Sequence, residues 1–266
     1  MSQTLSQRSL TCAARVAMST PVAPARCLSI LLYHRVLPEV DPLFPGEVHA
    51  ARFDRQMALV ARSFTHLPLA EAVRRLADGT LPPRALSITF DDGYADNHDV
   101  ALPILRRHGL SACFFVATGF LDGGRMWNDT VIECLRRTPH NRLDLQDFGL
   151  GELPTGSTAE RRQAIEQLIG LIKYQDLAAR HASLQSLVQR CAPVTLPDDL
   201  MLRSSQVQAL RAAGMEVGAH TVHHPILCRL ADDAAEGEMA SSRDRLRALL
   251  GEDVTLFAYP NGRPDQ

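Results

Sequence analysis

Two short stretches of the chain carry side chains that could bind a metal and move a proton. In TFDDGY, the adjacent carboxylates Asp91 and Asp92 follow an apolar run, and in HTVHHP the histidines His220 and His224 lie four residues apart. One carboxylate and two imidazoles can hold a divalent cation and leave positions open for water and substrate. The second carboxylate stays free to accept a proton. This combination predicts metal-dependent hydrolysis.

A third stretch, FAYPNG at 257–262, predicts a sharp turn. Its backbone N–H groups could face an oxyanion. Each stretch also has a plain structural interpretation when taken alone, because Asp-Asp-Gly is common in solvated turns and a single histidine often belongs to the core. His223 is adjacent to His224, and we expect it to point away from a shared site.

The elements that must position these residues alternate between short apolar runs and amphipathic segments. Strands are predicted at 28–36, 85–90, 111–116, 215–220 and 254–260, and helices at 53–64, 69–77, 100–108, 129–137, 159–191, 204–213 and 231–250. We expect Ser204 to cap its helix, and Gly109 and Gly251 to end theirs. This alternation predicts an α/β fold with a parallel sheet or barrel, in which chemistry belongs at the carboxyl ends of the strands.

Residues 122–200 interrupt this alternation with turns, a polar stretch and helices. We interpret them as an insertion that packs over the barrel and shapes the substrate cleft, with Trp127, Asn128 and Asp129 among the cleft residues. Residues 28–266 are predicted to form one catalytic domain that includes this insertion. Residues 1–27 are predicted to be a disordered leader, although their composition also fits a transit peptide or a start codon assigned upstream of Met18.

Composition narrows the partners and the compartment. The 266 residues carry a net charge of -2, which gives no reason to expect nucleic acid or an anionic membrane as a partner. No apolar run approaches the roughly 20 residues needed to span a bilayer. The six cysteines show no CxxC pairing, and Cys113 is expected to be a buried thiol. Free thiols favour a cytoplasmic over an exported protein, and nothing in the sequence indicates an oligomeric state.

Taken together and in order, TFDDG, H-[ST]-x-x-H-P and F-x-x-P-x-G resemble the motifs of the polysaccharide deacetylase family, also called the NodB-homology family or carbohydrate esterase family four. The resemblance implies a distorted (β/α)7-like barrel and a metal-dependent hydrolase that removes N-acetyl groups from a carbohydrate. It implies that Asp92, His220 and His224 bind the metal, Zn²⁺. It also implies that Asp91 is the general base for the attacking water and that the backbone N–H of Asn261 holds the tetrahedral oxyanion.

Two departures from the family pattern affect these expectations. Ala258 stands where many members carry an arginine that pairs with the base, so other groups must orient Asp91. The later motifs, which supply a tryptophan and a general-acid histidine, have no counterpart up to Gln266. This predicts a C-terminal part that is short or incomplete.

A second resemblance offers a replacement for the missing acid. LLYHRVLP at 31–38 is similar to the first strand of a permuted branch that acts on exopolysaccharides such as poly-N-acetylglucosamine. It implies that His34 protonates the leaving amine. The alternative is that His34 is a buried structural histidine.

Three functions therefore stay open. The leading hypothesis is hydrolysis of an N-acetyl amide on a glycan substrate. The second keeps the metal chemistry but cleaves another non-peptide C–N bond, such as that of a ureide or a small amide. The third is a truncated, non-catalytic member that only binds glycan. The intact ligand set argues against the third, as does an aromatic content of 5%, which is low for a module that stacks on sugars.

Overall fold

A computed structural model describes residues 27–261, so nearly all of the predicted leader, and Gly262 of the third motif, lie outside the described residues. The strands are β1 (Ser29–Tyr33), β2 (Thr65–His66), β3 (Ala85–Phe90), β4 (Cys113–Val116), β5 (Arg142–Asp144), β6 (Glu152–Pro154) and β7 (Glu216–Ala219). The helices are α1 (Ala50–Ser63), α2 (Leu69–Ala77), α3 (Leu102–Arg107), α4 (Trp127–Arg137), α5 (Thr158–Ile172), α6 (Leu177–Cys191), α7 (Ser204–Ala212) and α8 (Asp232–Leu250). A short π-helical turn, Asn97–Ala101, leads into α3. Within the described part of the chain, no helix is both long and apolar enough to cross a bilayer.

The main sheet confirms the predicted parallel α/β architecture. Its order is β1-β3-β4-β7, with β2 beside the beginning of β3, and every pair is parallel. Tyr33 pairs with Phe90, and Val116 pairs with Ala219. Because all four long strands run in one direction, their carboxyl ends meet at one edge, where β1, β3 and β7 lead into His34, Asp91 and His220. Over residues 27–261 the sheet is open rather than closed into a complete barrel.

The core lies where the central strands meet the surrounding helices. All six residues of β3 are buried, as expected for a parallel strand covered on both faces. Phe90 stacks on Phe114 of the next strand, with ring centroids 4.8 Å apart, and Phe53 of α1 packs edge-on against Phe90. This aromatic group lies directly beneath the turn that carries the two aspartates, and so gives that turn a rigid base.

The helix predicted at 159–191 is wrong, because the chain forms two helices there. Asp176 accepts a hydrogen bond from the backbone N–H of Ala179 and so caps the beginning of α6, while Ser157 and Glu160 form a reciprocal capping box at the beginning of α5. The break carries neither proline nor glycine. A single aspartate that can act as an N-cap is therefore the only local signal of it.

Two further expectations need correction. Ser204 does not cap its helix; it is the first helical residue, and its N–H and its hydroxyl donate to the carboxylate of Asp122. The strand predicted at 254–260 is reduced to a single bridge between Phe257 and Ala219 of β7. Pro260 cannot donate a backbone hydrogen bond, which limits how far pairing can continue. By contrast, Gly109 and Gly251 follow their helices with positive φ, as predicted.

The insertion has a hydrophobic cluster of its own. Helices α4, α5 and α6 pack around buried residues that include Val131, Leu135, Leu168 and Leu187, and β5 and β6 form an antiparallel hairpin beside them. Leu43, from outside the insertion, joins the same cluster. The division of the chain into a catalytic domain at 28–266 with an insertion at 122–200 remains a prediction.

The structure confirms the one expectation made for a single cysteine, that Cys113 is a buried thiol. Cys113 of β4 is completely buried and is free, as expected for a small apolar residue in a central strand. Cys134 and Cys191 are also buried free thiols, whereas Cys27 and Cys228 are exposed. Among the described residues, therefore, no disulfide contributes to the fold.

Candidate metal and catalytic site

The fold brings Asp92, His220 and His224 together at the carboxyl edge of the sheet. One potential ligand atom from each of the three lies within 4.8 Å of the others. Asp92 Oδ1 is 3.5 Å from His220 Nε2 and 3.3 Å from His224 Nε2. Ligand atoms at about 2.1 Å from one ion in a tetrahedral arrangement lie about 3.4 Å from each other. The residues present therefore fit a single divalent cation.

The hydrogen bonds around the histidines favour metal ligation. His220 Nδ1 lies 2.8 Å from the carbonyl oxygen of Ala258, so the ring donates there and keeps the Nε2 lone pair free. Burial lowers the pKa of His224 to about 4, so this ring is neutral at physiological pH. Asp92 Oδ1 is buried without a hydrogen-bond partner among the described residues. An orphaned carboxylate oxygen facing two imidazole nitrogens is what a cation site requires.

The two carboxyl groups have opposite electrostatics. Burial disfavours ionisation of Asp92, but its pairing with His220 and the nearness of His224 and His34 together outweigh this, and the pKa of Asp92 is lowered. Burial raises the pKa of Asp91 above its usual range, although charge on His220 and His34 acts in the other direction. Asp92 is thus suited to bind a cation, and Asp91 has the higher proton affinity that a general base needs.

The backbone at the site is held in unusual conformations. Asp92 has a φ of 75°, Thr221 of 64° and His224 of 54°. Non-glycine residues rarely adopt positive φ, and such residues persist only where the surroundings enforce them. At Gly93, which follows with a φ of 86°, a Cβ atom would lie 3.0 Å from Cγ1 of Val116. The turn after β3 therefore needs glycine at this position to direct Asp92 into the site.

The loop that carries the histidines, 220–224, is fixed from two sides. Glu238 of α8 accepts hydrogen bonds from the N–H groups of Val222 and His223, at 2.8 and 2.9 Å, and from His223 Nδ1 at 2.7 Å. The N–H of Gly119 donates to the carbonyl oxygen of Val222 at 2.9 Å. His223 is therefore directed to Glu238 and away from the cluster, as expected.

His34 and Asn261 lie around the same cavity as the three potential ligands. The cavity has a volume of about 1150 Å³, and Asp91, Asp92, His220 and His224 also line it. Both His34 and Asn261 are exposed, so His34 is not the buried structural histidine that the sequence allowed. Its charge is close enough to lower the pKa of both aspartates. Asn261 follows Pro260 with a φ of 62°.

The position that many relatives fill with arginine has a different use here. Ala258 contributes its carbonyl oxygen to His220 rather than a side chain to the base. Asp91 Oδ1 is buried without a hydrogen-bond partner among residues 27–261, and the backbone N–H of Asp91 donates to the carbonyl oxygen of Tyr33 at 2.9 Å. The backbone therefore holds Asp91 in place, and no arginine in the described part of the chain pairs with it.

A buried polar network beneath the site was not evident from the sequence. Arg35 Nε lies 2.8 Å from Asp96 Oδ2, and its guanidinium lies 4.6 Å from the ring centroid of Tyr94. The hydroxyl of Tyr94 donates to Asp129 Oδ1 at 3.3 Å. Burial raises the pKa of Asp129 to about 7. The network joins residues that are distant in the chain, and the only sequence signals for it were the acid at 96 and the WND stretch at 127–129.

The insertion contributes one wall of the cavity. Met126, Trp127 and Asn128 line it from the beginning of α4, and Ile169 and Lys173 line it from the end of α5. Tyr259, which is 63% exposed, and Asn261 also line it. The cavity lining therefore combines the acids and histidines with aromatic and cationic side chains.

Comparisons with known proteins show the family and the fold. The sequence model of the family described as polysaccharide deacetylase matches residues 78–141 and 155–266, which include all three motifs. No curated protein matches the sequence.

Several solved structures share the fold. The chain is 22% identical to a Streptococcus pyogenes deacetylase, PplD, solved in complex with acetate, with a TM-score of 0.56 over 89% of this chain and 74% of that one. It is 21% identical to IcaB from Ammonifex degensii, with a TM-score of 0.55 over 89% and 76% of the two chains. It is 16% identical to the deacetylase domain of BpsB from Bordetella bronchiseptica, with a TM-score of 0.51 over 91% and 83%.

Proposed function

Since the chain belongs to the polysaccharide deacetylase family, we propose that Asp92, His220 and His224 hold a Zn²⁺ ion and that the enzyme uses it to hydrolyse the acetamide of an N-acetylated glycan. The observation that carries this proposal is the convergence of three ligand atoms within 4.8 Å of one another. Support also comes from the Ala258 carbonyl oxygen, which leaves the Nε2 atom of His220 free to bind an ion.

The reaction consumes one water and gives a free amine and acetate. When bound, a divalent cation lowers the pKa of water and polarises the amide carbonyl. Asp91 accepts the proton of the attacking water, because its carboxylate lies beside Asp92 and its pKa is raised by burial. The backbone N–H of Asn261 donates to the oxygen that becomes negative in the tetrahedral intermediate. His34 then donates a proton to the leaving nitrogen as the C–N bond breaks.

The decisive experiment measures metal content and acetate release on the same protein samples. Purified wild-type protein is expected to contain about one zinc ion per chain and to release acetate from oligomers of N-acetylglucosamine. His220→Ala should lose both properties. His223→Ala is the matched control, because it removes a histidine from the same loop whose ring contacts Glu238 rather than Asp92.

The two readouts separate the parts of the proposal. Unchanged zinc content in His220→Ala would show that the ion binds elsewhere. A second outcome is that His220→Ala loses zinc, but wild-type protein releases no acetate from N-acetylated glycans and instead cleaves a ureide or a small amide. The metal site would then stand, and the proposed substrate would be wrong.

A further inference from the structure

A second cavity lies next to the candidate active site and is lined by positive charge. Its volume is about 410 Å³, and it lies between the break that separates α5 from α6 and the residues that follow His224. Lys173, Arg180 and Arg229 contribute the charges, and Tyr174 and Pro225 also line it. We refer to these five residues as the cationic pocket.

Arg180 is the least expected member of this pocket. Its side chain is 6% exposed, yet no carboxylate in the described part of the chain pairs with it. Its Nη2 atom donates to the carbonyl oxygens of Lys173 and Gln175 at 3.2 and 3.4 Å, and its Nε is buried without a partner among residues 27–261. A buried guanidinium with an unused donor is unfavourable unless an anion completes its surroundings. The two hydrogen bonds from Nη2 cap the end of α5, but they do not account for the burial of Nε without an acceptor.

The other two cations enclose an aromatic ring. Lys173 Nζ lies 5.9 Å, and the guanidinium of Arg229 5.6 Å, from the ring centroid of Tyr174. Neither cation forms an ion pair among residues 27–261. The one carboxylate that lines the pocket, Asp176, accepts the N–H of Ala179 as the cap of α6. The pocket therefore has an excess of positive charge that nothing in the described structure neutralises.

The pocket is linked to the catalytic cavity. Lys173 lines both cavities, and Pro225 directly follows His224, one of the potential ligands. The guanidinium of Arg180 lies 5.0 Å from the ring centroid of Trp127, which lines the catalytic cavity. A glycan with its acetamide at the three ligands would thus have Trp127 beside it and the cations next along its length.

We infer that the cationic pocket binds an anionic group of the substrate, a carboxylate or a phosphate, so that the enzyme acts on an acidic N-acetylated glycan. A guanidinium presents a planar set of donors that matches either anion, and Lys173 adds a point charge. The inference rests on the proposed deacetylase function, because the anion is placed relative to an acetamide at Asp92, His220 and His224.

The test compares three probes in the zinc-loaded Asp91→Asn variant, which should bind substrate without consuming it. The probes are a neutral tetrasaccharide of N-acetylglucosamine, a tetrasaccharide that alternates N-acetylglucosamine with glucuronic acid, and an N-acetylglucosamine oligomer with a terminal phosphate. We expect at least one acidic probe to bind about 10-fold more tightly than the neutral one in calorimetry. The acidic probe with the larger gain in affinity shows whether the pocket prefers a carboxylate or a phosphate. Raising sodium chloride from about 50 to about 500 mM should reduce the preference.

Substitutions test whether the preference for acidic probes comes from the cationic pocket. Lys173→Gln and Arg229→Gln should each reduce it several-fold, and Arg180→Gln should abolish it. The first two are expected to fold normally, because neither side chain forms an ion pair or a buried hydrogen bond within the described structure. Arg62→Gln is the matched control: it removes an arginine in the last turn of α1 that lines neither cavity.

A site-specific signal complements the affinities. Lys173 is the only lysine in the sequence, so reductive ¹³C-methylation places a single side-chain NMR signal in the pocket, apart from that of the N-terminal amine. The preferred acidic probe should shift this signal, and the neutral probe should shift it less.

The outcomes distinguish the two proposals. Equal affinity for all three probes, or a preference that survives Lys173→Gln and Arg229→Gln, would overturn the anion pocket while acetate release by wild-type protein still supports deacetylation. Tight binding of an acidic probe by Asp91→Asn, with no acetate release from any probe by wild-type protein, would support the pocket and contradict the deacetylase assignment.

Discussion

At the scale of single residues, the turn after β3 places the adjacent carboxyl groups of Asp91 and Asp92 in different environments. Asp92 turns inward with positive φ and faces both histidines, which keep it ionised. Asp91 Oδ1 has no hydrogen-bond partner in the described part of the chain, and burial raises the pKa of Asp91. Neighbouring positions in the sequence thus have separate environments, because a turn directs successive side chains differently.

We expect Asp91→Asn and Asp92→Asn to fail in different ways. Asp91→Asn removes the proposed base and leaves the ligands, so turnover should fall by about 10²–10⁴-fold with zinc content unchanged. Asp92→Asn removes the anionic ligand, so zinc affinity itself should fall. Metal analysis after dialysis, together with acetate release, checks both. Equal zinc loss in the two variants would mean that both carboxylates act as ligands.

His34 provides the second prediction at this scale. His34→Asn should keep the fold and the zinc but reduce turnover by about 10²–10⁴-fold and remove the basic limb of the pH–rate profile, because the leaving amine then lacks its proton donor. His181→Asn, at an exposed position in α6, is the control and should retain wild-type turnover. A normal pH–rate profile in His34→Asn would rule out the acid role.

At the scale of elements, the histidine loop depends on how closely the short 3₁₀ turn Thr118–Phe120 approaches it. A Cβ atom on Gly119 would lie 2.6 Å from the carbonyl oxygen of Val222 and 3.1 Å from its Cγ1. Helix α8 holds the other side through Glu238. Because both contacts fix the loop backbone, they determine where His220 and His224 present their nitrogen atoms.

Gly119→Ala should therefore weaken zinc binding, by about 10–100-fold as for other supporting contacts of metal sites. It should also lower the free energy of unfolding by about 1–3 kcal/mol through overpacking. Gly237→Ala is the control, since a Cβ there meets nothing within 4 Å and the residue is in helix α8. It should bind zinc normally and gain up to about 1 kcal/mol of stability. Zinc titration and thermal unfolding measure both effects, and wild-type affinity in Gly119→Ala would contradict the argument.

At the scale of the whole molecule, the buried network beneath the site makes stability depend on pH. Burial raises the pKa of Asp129 to about 7, above its value in an unfolded chain. The folded protein then keeps this proton over a pH range in which the unfolded chain has lost it. This group therefore contributes less and less to folding stability as pH rises from about 4 to 7.

Asp129→Asn should remove that dependence in metal-free protein. The difference in unfolding free energy between the variant and wild type should move in favour of the variant by up to about 1.4 kcal/mol per pH unit between pH 5 and 7. Denaturant unfolding at several pH values measures it. Asp199→Asn, which changes an exposed carboxylate without an ion pair among the described residues, should show no such trend. A constant difference across the range would mean that Asp129 is ionised throughout.

The sequence by itself determined the parts of this protein that depend on local signals. Alternating apolar runs gave the positions of β1, β3, β4 and β7, and a parallel sheet places their ends at one edge, so the motifs after β3 and β7 had to meet. Residue type and spacing were enough to select His220, His224 and one of the two adjacent aspartates as candidate ligands, while the choice of Asp92 came from the family resemblance. Glycine marked the ends of α3 and α8.

Only the tertiary structure decided the contacts between distant residues. The sequence carries no pattern for four of these contacts. They are the hydrogen bond between His220 and the carbonyl oxygen of Ala258, the hydrogen bonds of the histidine loop to Glu238, the Arg35–Asp96 pair, and the packing of Arg180 on Trp127. Each joins positions whose separation in the chain is set by packing rather than by the period of a helix or strand. A local pattern can place a side chain on an element, but which group it meets depends on how the elements pack.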